Sequence, residues 1–145
     1  MLDSLGEMDS ILDEQVAVEA VRRSEELLRA VFNSSPELVC VTTIFGEFVE
    51  ANEAFCKACG LAREDILGKP GSAINLWVDL ERRHEFLTLL GKHAVVSCFG
   101  ADMRHHSGKV IPCLLFAHVI KVHGTVLVVT TAKDISNACP VPAYL

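Results

Sequence analysis

Apolar residues recur at helical spacing near the start of the chain and at strand spacing toward its end, with short mixed segments between. Residues 1 to about 30 hold no proline and no glycine after Gly6, and are rich in Glu, Leu, Val, Ala and Arg, which predicts a helix on propensity. A seven-residue repeat places Ile11, Glu14, Val18, Val21, Glu25 and Leu28 on one side. The apolar members make the helix amphipathic, while the two glutamates interrupt a coiled-coil seam. The stripe suits a helix lying on its own domain as well as one paired with its copy through Ile11, Val18, Val21 and Leu28. Pro36 disfavours helical geometry at Ser35, so the helix is expected to stop near there. Leu38 to Thr43 then reads as a strand, Gly46 as a turn, and Glu47 to Ala51 as the hairpin partner. Plain alternation would put Val49 and Ala51 on one face of that partner, and Phe48 and Glu50 on the other.

The middle of the chain is punctuated by caps. Asn52 can accept a hydrogen bond from the first turn of a short helix, Phe55 and Cys59 share one side of it, and Gly60 supplies a left-handed end. A turn from Arg63 to Leu67 closes at Gly68, Pro70-Gly71 is a breaker, and Ser72 to Leu76 forms one more turn. Asp79 is expected to cap the longest internal helix, Leu80 to Leu90, with Gly91 as its stop and Leu80, Phe86, Leu87 and Leu90 as its apolar sector. Val95 to His105, Val110 to Val122 and Thr125 to Lys133 read as strands of an antiparallel meander, with turns at Ser107-Gly108 and His123-Gly124. Helices segregated between two blocks of strands define an α+β domain. The expected core is Val39, Val41, Phe55, Trp77, Phe86, Leu87, Leu114, Phe116, Leu127 and Val129, each stabilising by roughly 1.5–3 kcal/mol when fully buried.

Composition narrows the class. A chain of 145 residues that is 50% hydrophobic and 22% charged suits one domain with short extensions and excludes a disordered polymer. The net charge of −6 argues against a nucleic-acid partner, which would call for a basic face. Six cysteines, mostly inside apolar runs, read as reduced buried thiols and a cytoplasmic home. The longest apolar run, Val110 to Ile120, contains Pro112 and His118 and is far shorter than a membrane span of roughly 20 residues. Met1-Leu2-Asp3-Ser4 lacks the features of a signal peptide, so no membrane contact is expected within this segment.

Five motifs in order then resemble the PAS domain family. Asn52-Glu53-Ala54-Phe55 with Gly60 and Arg63 to Gly68 echoes the family's "N-x-A-F … G-x-x-x-E-x-x-G" stretch, and Asn75 to Asp79 with Arg83 is similar to its lead into a long connecting helix. Ser107 to Pro112 resembles the "D-G-x-x-I-P" hairpin, with Ser107 in place of the aspartate, and Asp134-Ile135-Ser136 resembles the "D-I-T" ending. Thr43-Ile44-Phe45-Gly46 also departs from the family, which often has an aspartate in that turn. The resemblance spans roughly residues 34–136 and implies a five-stranded antiparallel sheet in the order 2-1-5-4-3, with helices on one face. It also implies a pocket between the sheet and the long helix, and a sensory module that signals to an output domain such as a histidine kinase or diguanylate cyclase. The division expected is 1–33 for a dimerisation helix, 34–136 for the PAS domain and 137–145 for a flexible tail. The signal would leave through Asp134 and Ile135, and two copies would form a homodimer through the N-terminal helix. Pocket candidates are Val41, Phe55, Trp77, Phe86, Leu87, Leu114, Phe116 and Val129, implying a small, largely apolar ligand.

The remaining chemistry is sparse. Cys56-Lys57-Ala58-Cys59 is a C-x-x-C, but no second pair completes a zinc site and its place inside a short helix is wrong for a thioredoxin-like motif. No metal site is expected. No cofactor is required either, though two remain as alternatives. Non-covalent flavin could stack near Asn75 and Trp77, while the "N-C-R-F-L-Q" motif of the flavin-linked light sensors is absent. Haem is the sharper alternative, because His84 in Arg82-Arg83-His84 is placed like the axial ligand of some PAS oxygen sensors. His84 lies at the edge of the predicted apolar sector, whereas Arg83 lies nearer its centre, where its charge would need a partner. His105 and His106 should point to opposite faces of a strand, and His93, His118 and His123 to solvent or turns. A small α+β enzyme is the remaining alternative, but no nucleophile elbow, phosphate loop or paired carboxylate is present, so no catalytic residue is named.

Overall fold

A computed structural model describes residues 2–137 and divides the chain after Ser34. The first unit is a single helix, α1 (Leu2–Ser34). Arg22 pairs with Glu19 at 2.6 Å and with Glu26 at 2.8 Å, the one-turn spacing at which opposite charges meet on a helix surface. The helix ends just before Pro36, as the restriction on Ser35 requires.

The second unit begins with β1 (Leu38–Thr43) and β2 (Phe48–Ala51), continues through α2 (Glu53–Cys59), α3 (Arg63–Ile66) and α4 (Leu80–His93), and ends with β3 (Val95–Arg104), β4 (Val110–Val122) and β5 (Thr125–Asp134). All strand pairs are antiparallel, and the sheet order is β2-β1-β5-β4-β3. β1–β2, β3–β4 and β4–β5 pair as hairpins, and β1 lies beside β5 to join the two blocks. At the β4–β5 turn His123 and Gly124 both adopt positive φ (49° and 79°), the geometry that matches strand twist in a tight hairpin.

Asn52 links the hairpin to the helices. Its side chain is fully buried; Oδ1 accepts from Phe55 N at 2.9 Å and from Val39 N at 3.1 Å, and Nδ2 donates to the Glu37 carbonyl at 2.9 Å. The residue is thus both helix cap and staple to β1. At the other end of α2, Gly60 has φ 71°, and its amide bonds back to the Cys56 and Lys57 carbonyls. A Cβ there would collide with the His105 imidazole, whose Nδ1 accepts from Ser107 N at 3.0 Å. Glycine at position 60 therefore serves the helix end and the approach of the β3–β4 turn together.

The core lies between the helices and one sheet face, and that face is not the one alternation suggests. Cys40, Cys113, Leu115, Ala117, Val128 and Ala132 point beneath the helices, whereas Val39, Val41, Leu114, Phe116, Leu127 and Val129 lie on the opposite face. These strands are apolar on both faces, so hydrophobicity alone cannot select one. Small residues let α2 and its Phe55 and Cys59 approach closely, and the branched and aromatic residues cover the outer face, where Phe116 is 38% exposed.

Four local corrections accompany this. Val41 pairs with Glu50 but Thr42 pairs with Phe48, so Val49 is a bulge residue and Phe48 and Ala51 both turn inward. A second bulge lies in β3, where Cys98 has φ 55° and Val96 and Phe99 both reach the core. Gly91 does not stop α4; the helix runs to His93 and ends at Ala94 in left-handed geometry (φ 59°), with Leu80 exposed and Leu87, expected in the core, exposed at the rim of the packed face. His105 and His106 sit in the β3–β4 turn rather than in a strand, and His106 N donates to the Cys59 carbonyl at 2.7 Å. The tail expected over 137–145 falls, after Asn137, outside the described residues. Among the described residues no helix is long and apolar enough to cross a membrane.

Candidate functional site

α4 positions the site. Asp79 Oδ1 accepts from the amides of Glu81 (2.9 Å) and Arg82 (3.3 Å) and fixes the helix start. Arg82 then ties the helix to β3: its Nε donates to the Gly100 carbonyl at 2.7 Å, its guanidinium bonds Glu85, and its carbon stands 3.7 Å from the centre of the Phe99 ring. Phe99 packs on Phe86 (5.4 Å between ring centres) and Phe86 on Trp77 (5.5 Å), so a chain of aromatic contacts runs under the helix. Trp77 is held by its bridge to Met103 on β3.

Between α4 and the sheet lies a cavity of about 100 Å³. The helix contributes Arg83, Phe86, Leu87 and Leu90, which stand at the spacing of one inward stripe. The sheet contributes Cys40 and Thr42 from β1, Leu115 from β4, and Val128, Thr130 and Ala132 from β5. Phe48, Phe55, Leu76, Trp77 and Met103 close the sides, and the β1–β2 turn at Thr43, Ile44 and Gly46 forms one edge.

Among the pocket candidates from the sequence, Phe55, Trp77, Phe86 and Leu87 line this cavity. Val41, Leu114, Phe116 and Val129 do not, because they stand on the outer sheet face. His84 is exposed and absent from the lining, as is Asn75, whose backbone has φ 55°. No histidine reaches the cavity, so its residues do not fit haem, and the walls facing Trp77 enclose too little space for a flavin ring system. Asp134 ends β5; its carboxylate accepts from Ser136 N (2.9 Å) and Ser136 Oγ (2.5 Å), and the Ser136 hydroxyl bond holds its pKa below the usual value. Ile135 N donates to the Pro112 carbonyl at 2.9 Å, fastening the exit of the sheet to β4. Along α1, Ile11, Val18, Val21 and Leu28 are each more than half exposed.

The cysteines are structural in character. Burial pushes the Cys40 and Cys59 thiols up to about 12, and burial together with the Asp134 and Asp102 carboxylates pushes Cys113 up to about 11. Cys56 is raised by the same desolvation. All remain neutral thiols near neutrality, a poor state for a nucleophile or metal ligand. Among the described residues no group of His, Cys, Asp and Glu is arranged to hold a metal ion. Cys40 is held as a neutral thiol in the lining, and no carboxylate or histidine stands there to act as its acid–base partner.

Sequence reasoning missed Cys40, Thr42, Leu76, Met103 and Thr130. One signal was available for α4: counting from Arg83 rather than Leu80 gives Arg83, Phe86, Leu87 and Leu90 at i, i+3, i+4 and i+7.

Helices roof one face of an antiparallel sheet and leave an apolar cavity beneath them, an architecture shared with known proteins. The sequence profile of the PAS fold matches residues 26–120, more than half of the chain, and the chain belongs to the PAS family. The structure is similar to the PAS domain of an HTR-like protein from Haloarcula marismortui (TM-score 0.72, 18% identity, covering 83% of this chain and 99% of that one). It is also similar to a PAS domain from a two-component sensor histidine kinase (TM-score 0.69, 15% identity, 79% of this chain and 98% of that one). The LOV protein of Rhodobacter sphaeroides is a third such structure (TM-score 0.64, 18% identity, 81% of this chain and 69% of that one). At these identities the likeness is one of fold. No curated protein sequence matches the chain.

Proposed function

We propose that this chain is the sensory and regulatory part of a larger cytoplasmic signal-transduction protein, of histidine kinase or diguanylate cyclase type, and that it binds a small ligand without transforming it. The observation that carries this reading is the apolar cavity between α4 and the sheet, which contains no acid–base pair. In this reading residues 34–136 sense, residues 1–33 pair two copies, and 137–145 connect to the output domain. Asp134 and Ile135, at the end of a central strand that also lines the cavity, relay occupancy to that connection.

Benzene tests the cavity because an apolar cavity of comparable size can stay dry and accept it. Present at about tenfold its Kd, it should stabilise the fold by about 1.4 kcal/mol and raise Tm by about 4 °C. The emission of Trp77, the single tryptophan of the chain, should change in parallel. No change in either quantity would remove the ligand-binding reading.

Dimerisation is tested separately. The chain should elute as a dimer on a sizing column, and Val18→Asp with Val21→Asp should convert it to a monomer with unchanged Tm for the second unit. These side chains are exposed on α1, so buried charge would be introduced only where two helices meet. Dimers that persist in the double variant would exclude this face as the contact.

A further inference from the structure

We propose that the cavity selects a small apolar molecule bearing one carboxylate, which Arg83 binds through its guanidinium with the hydroxyls of Thr42 and Thr130 as supporting donors. The inference rests on the reading of the cavity as a ligand site and adds the chemistry of the ligand. Arg83 occupies the first place in the inward stripe of α4, and the other three members, Phe86, Leu87 and Leu90, are all apolar. A charged group at such a position carries a desolvation cost that an opposite charge would offset.

No such charge is supplied by the described residues. Among the described residues of the second unit, Arg63 pairs with Glu50, Arg82 with Glu85, and Arg104 with the Asn75 carbonyl. The Arg83 amide donates to the Asp79 carbonyl at 3.2 Å, but among the described residues its side chain has neither an ion pair nor a hydrogen bond, and no carboxylate lines the cavity. Its guanidinium lies against the β1–β2 turn, 3.4 Å from where a Cβ on Gly46 would stand, at the edge of the cavity. Its planar fork matches a carboxylate in two parallel hydrogen bonds.

The threonines sharpen the assignment. Thr43 Oγ1 is used by its own turn, accepting from Phe45 N at 3.2 Å and Glu47 N at 3.3 Å. Thr42 and Thr130, on the adjacent strands β1 and β5, line the cavity, and their hydroxyls have no protein partner among the described residues. A singly charged carboxylate is balanced by one guanidinium, whereas the second charge of a phosphate monoester would stand uncompensated among apolar walls. The volume of about 100 Å³ suits a body of roughly one six-membered ring.

The test is titration of the full chain with phenylacetate and with phenylacetamide, which has the same shape without the charge, followed by calorimetry and by Trp77 emission. The acid should bind about tenfold or more tightly than the amide, the range of a charge-assisted hydrogen bond. Arg83→Gln should bring the acid down to the affinity of the amide while leaving the amide's affinity and the Tm unchanged. Equal affinity for both compounds, or an acid preference that survives Arg83→Gln, would overturn the assignment and leave the cavity reading intact. Failure of both compounds together with benzene would remove the assignment and the cavity reading at once.

Discussion

Replacing Asn52 with leucine should lower the stability of the second unit by about 3–5 kcal/mol, a loss seen when several buried polar groups are stranded together. The fully buried side chain ties three backbone groups, the buried amide of Phe55 and the part-buried amide of Val39 and carbonyl of Glu37. Leucine is similar in size, so packing volume is kept and the effect isolates hydrogen bonding. Asn52→Ser should recover about 1 kcal/mol, because serine can still cap Phe55 N but is too short to serve β1 as well. Urea unfolding provides the measurement, with the midpoint falling and the m-value preserved. A loss under about 1 kcal/mol for the leucine variant would show that the tie between α2 and β1 is not what holds this corner of the fold.

Phe86→Ala should cost about 3–5 kcal/mol and at the same time enlarge the cavity. Phe86 is 5% exposed and touches both Trp77 and Phe99, so its removal interrupts the aromatic chain that Arg82 anchors at the far end. The surrounding helix and sheet are held by independent hydrogen bonds at Asp79 and Arg82 and will not collapse fully into the space. Benzene should therefore bind the variant more tightly than the parent and restore part of the lost Tm, while Phe86→Leu should cost only about 1 kcal/mol. A stable Phe86→Ala protein with unaltered benzene affinity would mean that this ring does not wall the cavity.

These two variants also mark how legible the molecule was. The role of Asn52 as a cap follows from its place before an acidic first turn, but its hold on Val39 and Glu37 depends on β1 lying alongside, which no local pattern states. Phe86 and Phe55 stand out as helix residues facing a core. For the strands the same reasoning selects the wrong side: Val41, Leu114, Phe116 and Val129 are more hydrophobic in appearance than Cys40, Cys113 and Ala132, yet the latter lie under the helices. Close approach of a helix favours small side chains, and hydropathy does not measure closeness. The bulges at Val49 and Cys98 add a shift of one residue each, which reverses every inward assignment beyond them. The α4 stripe is a milder case, since the pattern already places Arg83 near the centre of the apolar sector, and only Leu80 turns out to be exposed.

Local chemistry by itself determined the number and order of the elements, the caps at Asn52 and Asp79, the turn at Gly60 and the tight hairpins, because each depends on residues a few positions apart. Which sheet face is roofed, where the strands slip, and that Arg83 meets two unpartnered threonines across a cavity were decided by tertiary structure. Those outcomes rest on distances between segments far apart in the chain, and an apolar strand offers two faces of nearly equal free energy until a helix settles on one of them.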